Sequence, residues 1–265
     1  MIFAFLLEKY IIILIKEKAM SKKQAYIITI ANQKGGSGKS TVCVNLAVKL
    51  LEFKQKVLVM DTDPQKSIES FTNIRESESN ASKKLRHFTL SNRTGNIAES
   101  LKQFIELYEY IIIDTGGIDS QESRKAMLYA DSIILPTTAS QFDVEVLYTM
   151  LETISEIKDI NEEVQICILM NKISTNVFLD KDLIDYKNGV LEIQQKLGLT
   201  NDFHLLNSTL KERIAYKRAV GEGLGITEFS DAKARAEFES FFAEFIKAVK
   251  LPLNTKNKNH TKDKQ

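Results

Sequence analysis

The stretch Lys34-Gly35-Gly36-Ser37-Gly38-Lys39-Ser40-Thr41 gathers glycines, lysines and hydroxyls into one short run. Flanked by "YIITIANQ" before and "VCVNLAVKLL" after, it presents a strand, a glycine loop and a helix in the order a phosphate-binding loop requires. Gly35, Gly36 and Gly38 would let backbone N–H groups approach phosphate oxygens, and the helix opening near Lys39 turns its positive dipole end toward them. Lys39 is placed to reach β and γ phosphates, and the Ser40 hydroxyl suits Mg²⁺. The fit to GxxxxGK[ST] is not complete, because Gln33 stands where the first glycine is expected and a second lysine, Lys34, follows it. A glycine-rich turn that merely opens a helix is the plain alternative, and GK[ST] in this setting argues against it.

Carboxylates stand at the ends of two further apolar runs. "VLVMDTDPQ" closes with Asp61 and Asp63, and "YIIIDTGG" with Asp114. In open α/β sheets ligands bind beyond the carboxyl ends of the strands, so all three acids are expected near the phosphate loop. Asp114 has the position of an acid that holds a metal ion through water, and one of Asp61 and Asp63 could orient or deprotonate an attacking water. Acids at strand ends also serve as helix caps, and Asp63 before Pro64 could be one. With the loop, however, they describe a nucleotide-hydrolysing site.

The elements that must carry these groups repeat along the chain. "YIITIA", "KVLVMD", "YIIIDT", "SIILPT" and "VQICILMN" alternate with amphipathic stretches. Near-continuous apolar strands are expected where helices cover both faces of a parallel sheet. The expected fold is α/β, a doubly wound, mainly parallel sheet in three α/β/α layers. From Asp231 to Lys250 the spacing of Phe238, Phe241, Phe242, Phe245 and Val249 marks the core face of a closing helix. Residues 20–250 are read as a single domain, and residues 251–265 as a disordered polar tail.

The chain has 265 residues, 43% hydrophobic and 27% charged, with a formal net charge of +1. That excludes a disordered or fibrous chain, and an anionic partner must be met by a local patch rather than by the overall field. Cys43 and Cys167 show no CxxC spacing and lie in apolar surroundings, which reads as two buried thiols of a cytosolic protein. The start, "MIFAFLLEKYIIILIKEKAM", is interrupted by Glu8 and Lys9 and falls short of the roughly 20 apolar residues that span a bilayer. Lacking also a basic start and a cleavage site, residues 1–19 read as an over-extended frame before Met20, with an apolar membrane-associating segment as the alternative.

"KGGSGKST", "DTDPQ" and "IIIDTGG" resemble the deviant Walker A, A′ and B motifs of the ParA/MinD family of P-loop ATPases, and the resemblance runs from about Tyr26 to Val249. It implies a P-loop NTPase fold, with ATP and Mg²⁺ bound through Gly35 to Thr41. In that family the additional lysine, here Lys34, reaches across a nucleotide-sandwich dimer to the partner's phosphates, in the manner of an arginine finger supplied in trans. The resemblance further assigns Asp63 to the hydrolytic water, sets Asp61 and Asp114 with Ser40 at the metal, and makes Asn171 and Lys172 of "ILMNK" the adenine-side pair. Where a proline commonly follows the Walker B acid, this chain has "DTGGI".

Within the family, the iron-protein branch needs cluster cysteines that are absent here. The polar, lysine-rich ending differs from the amphipathic membrane helix of MinD-like members. Only some twenty-five residues precede the first motif strand, too few for the helix-turn-helix segment of the large ParA proteins. What remains is similar to the small, ParF-like plasmid partition ATPases, with Arg213 and Tyr216 matching a family pattern. The resemblance implies dimerisation on ATP, non-specific DNA binding in the cytoplasm on the nucleoid, and a ParB-like partner that stimulates hydrolysis. On one helix Lys211, Arg213, Lys217 and Arg218 would form a broad face toward DNA phosphates, against the alternative of a solvated helix. Two other readings stay open: a MinD-like positioning ATPase at a membrane, and a nucleotide-binding regulator with little hydrolysis.

Overall fold

A computed structural model describes residues 25–81, 84–138, 141–175, 180–199 and 202–253. The sequence expectations for residues 1–19 and for the tail from 254 onward lie outside these residues. Strands β1 (Tyr26–Ile30), β2 (Val57–Asp61), β3 (Thr89–Asn92), β4 (Tyr110–Asp114), β5 (Ser132–Thr137), β6 (Gln165–Ile173) and β7 (Phe203–Lys211) form one sheet in the order β3-β2-β4-β1-β5-β6-β7. Every neighbouring pair is parallel. Each crossover therefore has to run back over a face of the sheet, and helices fill that role.

Those helices are α1 (Lys39–Glu52), α2 (Ser67–Ala81), α3 (Ile97–Phe104), α4 (Gln121–Leu128), α5 (Gln141–Lys158), α6 (Asp180–Lys196), α7 (Ile214–Gly221) and α8 (Ala232–Ala248). Successive strand residues point to opposite faces, and the core divides accordingly. Ile28, Ile30, Val57, Val59, Ile112 and Ile134 pack in one cluster with residues of α1, α2, α7 and α8. Ala25, Ile27, Leu58, Met60, Ile111 and Ile113 pack on the other side with Ile97, Leu101 and Ala126. Ile133, Leu135, Ile166 and Ile168 continue that second face against α5 and α6. The outcome is the expected three-layer, doubly wound α/β fold.

The five expected strands are all present, and the phenylalanine stripe of α8 is buried as expected. The edge strands β3 and β7 were not expected. β3 has four residues, "TLSN", with no fully buried position. β7 mixes polar and apolar residues because only one neighbour covers it, and its pairing with β6 shifts register. The domain also extends past residue 250. Leu251 joins the core, Leu253 packs against it, and the Tyr110 hydroxyl donates to the Pro252 carbonyl at 2.8 Å. The start of the sequence-assigned polar tail therefore belongs to the packed domain, because its two leucines cover the Tyr110 end of the sheet.

Candidate nucleotide site

Register brings the three motifs together. Asp114 pairs with Ile30 on one side and with Asp61 on the other, so β1, β4 and β2 end at the same level. The chain leaving Ile30 becomes the glycine loop, and Asp61 and Asp114 stand beside it. Gly38 caps α1 at φ 94, a left-handed conformation that L side chains rarely adopt. A Cβ there would also lie 2.3 Å from Asn171 Nδ2, so both backbone and space demand glycine. No acidic residue stands in the first turn of α1, which leaves its positive end open to an anion.

The loop is held from the side by the end of β6. Asn171 Nδ2 donates to the Ser37 carbonyl at 2.7 Å, and Lys172 Nζ donates to the Gly36 carbonyl at 2.5 Å. Both residues that resemblance assigns to the base are thus straps of the phosphate loop. From the opposite side Gly117 approaches closely, with a hypothetical Cβ 3.3 Å from Gly35 Cα and 3.7 Å from Lys39 Nζ. The glycine pair after Asp114 lets this loop lie against the phosphate loop, a consequence that sequence reading missed although "DTGG" was its signal.

Lys39 is buried, and its Nζ donates to the Lys34 carbonyl at 3.4 Å. Burial pushes its pKa down, while Asp114 and Asp63 oppose the shift. Asp61 holds the next turn: its Oδ1 accepts from Asp63 N at 2.9 Å and its Oδ2 from Ile68 N at 3.4 Å. Desolvation nevertheless raises its pKa, ahead of those two bonds, which lower it. Asp63 is only half-buried; its Oδ1 accepts from Gln65 N at 2.9 Å. This is the local turn that a cap would make, yet Asp63 also lines the cleft with Gly35, Lys39, Ser40 and Thr41.

Asp114 is fully buried, and neither carboxylate oxygen has a hydrogen-bond partner of good geometry. Desolvation pushes it up to about 7; the Ser40 hydroxyl acts in the other direction without completing such a bond, and the Lys39 charge also lowers it. A buried carboxylate without partners is costly in isolation, and a divalent cation or its water shell would complete it. Ser40, Asp61 and Asp114 therefore fit a hard, oxygen-liganded ion such as Mg²⁺. The Ser37 hydroxyl is likewise buried without a partner.

The cleft lined by Gly35, Lys39, Ser40 and Asp63 has a volume of about 900 Å³. A second cavity of about 280 Å³ opens next to it, walled by Val42, Leu210, Tyr216 and Phe238, with Asn171 and Lys172 on its rim. Lys39, Ser40 and Thr41 line the first, and the second is walled mostly by apolar surface, which suits a phosphate chain and a nucleobase respectively.

The basic face is built differently from the sequence expectation. Lys211 ends β7, whose ladder continues as Glu212 N donates to the Ile173 carbonyl at 2.8 Å. Arg213 is the extended N-cap of α7, at φ −120 and ψ 137. It forms a two-point pair with Glu237, at 3.0 and 2.6 Å. Only Lys217 and Arg218 lie on the helix, both exposed. A single helical face of four cations is therefore absent, because strand pairing extends to Lys211. Both cysteines are buried thiols, as expected.

The sequence profile of the family described as ATPase MipZ matches residues 26–166. The chain is 21% identical over 208 residues to the maintenance of carboxysome distribution protein A of Halothiobacillus neapolitanus, covering 78% of this chain and 89% of that protein. In fold it is similar to a plasmid partition protein of Borrelia burgdorferi bound to AMPPNP, with a TM-score of 0.55 and 24% identity over 84% of this chain and 99% of that one. It is also similar to the cell division ATPase MinD of Pyrococcus furiosus, with a TM-score of 0.62 and 17% identity over 84% and 99% of the two chains. Matched over more than half its length by that profile, and carrying the paired-lysine loop and strand-end acids, the chain belongs to the MipZ ATPase family of the ParA/MinD group.

Proposed function

We propose that this chain is a Mg²⁺-dependent ATPase that dimerises around ATP, binds DNA without sequence preference in that state, and is reset when a ParB-like partner stimulates hydrolysis. Its task would be partition or positioning of a cargo, with plasmid DNA the first candidate. The observation that carries the reading is Asp114, a fully buried carboxylate with no hydrogen-bond partner, beside the loop of Lys34 and Lys39. A metal ion held by Ser40, with Asp61 and Asp114 behind it, would supply charge neutralisation for phosphoryl transfer. Lys39 would bind the phosphates, the backbone of Gly35 to Gly38 would hold their oxygens, and Asp63, half-buried at the cleft, would orient the attacking water. Lys34 would act on the partner subunit's nucleotide. The apolar cavity beside Asn171 and Lys172 suits the adenine.

Exposed Lys217 and Arg218 support a contact with DNA phosphates, doubled in a dimer. Likeness to a carboxysome-distribution protein favours a second reading, in which the same ATPase cycle positions a cargo other than DNA. The test is retention of the full chain on arbitrary duplex DNA with ATP, ADP or neither, at two salt concentrations, beside Lys34→Ala. Retention that needs ATP, weakens with salt and is lost in Lys34→Ala supports the proposal. Binding of ATP without DNA retention in any nucleotide state removes DNA attachment and favours the cargo-positioning or membrane reading.

A further inference from the structure

Asn32 lies two residues before Lys34, in the segment that joins β1 to the glycine loop. It is buried, with 6% of its surface exposed, and its amide is engaged at both ends. Nδ2 donates to the carbonyl of Pro136 in β5 at 2.7 Å, and Oδ1 accepts from the backbone N–H of Lys34 at 2.7 Å. These partners set the orientation of the amide, since a peptide carbonyl only accepts and a peptide N–H only donates. The far anchor is rigid, because β5 is paired on both edges, with β1 and with β6.

Beyond Lys34 the chain is held from the end of β6, by Lys172 at the Gly36 carbonyl and Asn171 at the Ser37 carbonyl, and not from β5. Gly35 and Gly36 are exposed, Gly36 is at φ 76, and no atom lies within 4 Å of a Cβ built on either. On its carbonyl side Lys34 is met by Lys39 Nζ at 3.4 Å, a group the phosphates would compete for. The bond from Asn32 ties the Lys34 peptide to β5 and does not depend on Lys39, which the phosphates would draw away. A displacement of about 1 Å in a catalytic group can cost on the order of a hundredfold in rate, so a lysine that must reach another subunit needs a fixed root.

We propose that Asn32 is the positioning residue for Lys34, fixing that peptide to β5 so that the lysine is aimed correctly when two subunits meet. The inference rests on the reading of Lys34 as a residue acting across a dimer. It is tested by a double-mutant cycle in the full chain, with Asn32→Ala, Lys34→Ala and both together. Turnover at saturating ATP, ATP-dependent dimerisation by sedimentation, and binding of a fluorescent ATP analogue by the monomer are measured for each.

The expected result is about a tenfold loss of turnover and of dimerisation in Asn32→Ala, with analogue affinity held within about threefold. In the Lys34→Ala background the same change should add no further loss. Wild-type turnover in Asn32→Ala, a loss confined to analogue affinity, or losses that multiply in the double variant would each overturn the proposal. If Lys34→Ala alone behaves as wild type, the reading of Lys34 fails and this inference falls with it, a distinct result within the same cycle. Should Asn32→Ala not fold, Asn32→Asp, which keeps an acceptor for Lys34 but repels the Pro136 carbonyl, is scored the same way.

Discussion

At the scale of single residues, Asp114 shows how burial turns a common side chain into a site. Its carboxylate costs free energy because water is excluded and no donor replaces it. Its pKa is pushed up to about 7, above the unfolded value of about 3.9. The stability contributed by its protonation is therefore full below about pH 4 and is lost as pH rises through about 7. Metal- and nucleotide-free protein should melt at a lower temperature at pH 8 than at pH 6, and Asp114→Asn should flatten that difference. Thermal denaturation at the two pH values decides the matter: an unchanged slope in the variant would place the pH dependence elsewhere. Asp114 itself was legible in the sequence from its position at a strand end. Its lack of any partner was not, since that depends on how β1, β2 and β4 close around it.

Among the elements, α2 is locked to the segment after α7 by an ion pair that sequence reading did not single out. Arg75 is 1% exposed, and its guanidinium pairs with both oxygens of Glu228 at 2.7 and 2.9 Å. It also donates to the Arg86 and Gly223 carbonyls. Gly223, at φ 64, lets the backbone pass where a Cβ would lie 2.5 Å from Arg75 N. Arg75→Met leaves Glu228 without its partner and should cost about 3 kcal/mol in chemical denaturation, the low end for a buried pair because Glu228 keeps some exposure. Adding Glu228→Gln should restore part of that loss, as the lone charge is removed. If the double variant is no more stable than Arg75→Met, the penalty lies in lost packing and in the unpaired Arg86 and Gly223 carbonyls rather than in the charge of Glu228. Partners more than 150 positions apart leave no local signal, whereas the phenylalanine stripe of α8 was visible because its period lies within one helix.

For the whole molecule, the division of labour in the basic segment yields a prediction about binding. Among the described residues, Lys217 and Arg218 are exposed and carry no ion pair, while Arg213 is neutralised by Glu237. If the proposed DNA contact is made here, Lys217→Ala and Arg218→Ala should each reduce the salt slope of ATP-dependent DNA binding by roughly one. Arg213→Ala should instead lower stability and leave that slope nearly unchanged. Binding isotherms from low to moderate salt separate these outcomes, and equal slopes in all three variants would move the DNA surface elsewhere. By itself the sequence determined the strand–loop–helix unit, the buried strands, the closing helix and the identity of the acids. All of these follow from local period, propensity and the demand for glycine near phosphate. Tertiary structure alone decided that Lys211 belongs to a strand and Arg213 to a cap, that Leu251 enters the core, that Asn171 and Lys172 strap the phosphate loop, and that Asn32 reaches β5. Each of these depends on sheet order and on pairing between residues far apart in the chain, and a one-dimensional pattern contains no distance across the sheet.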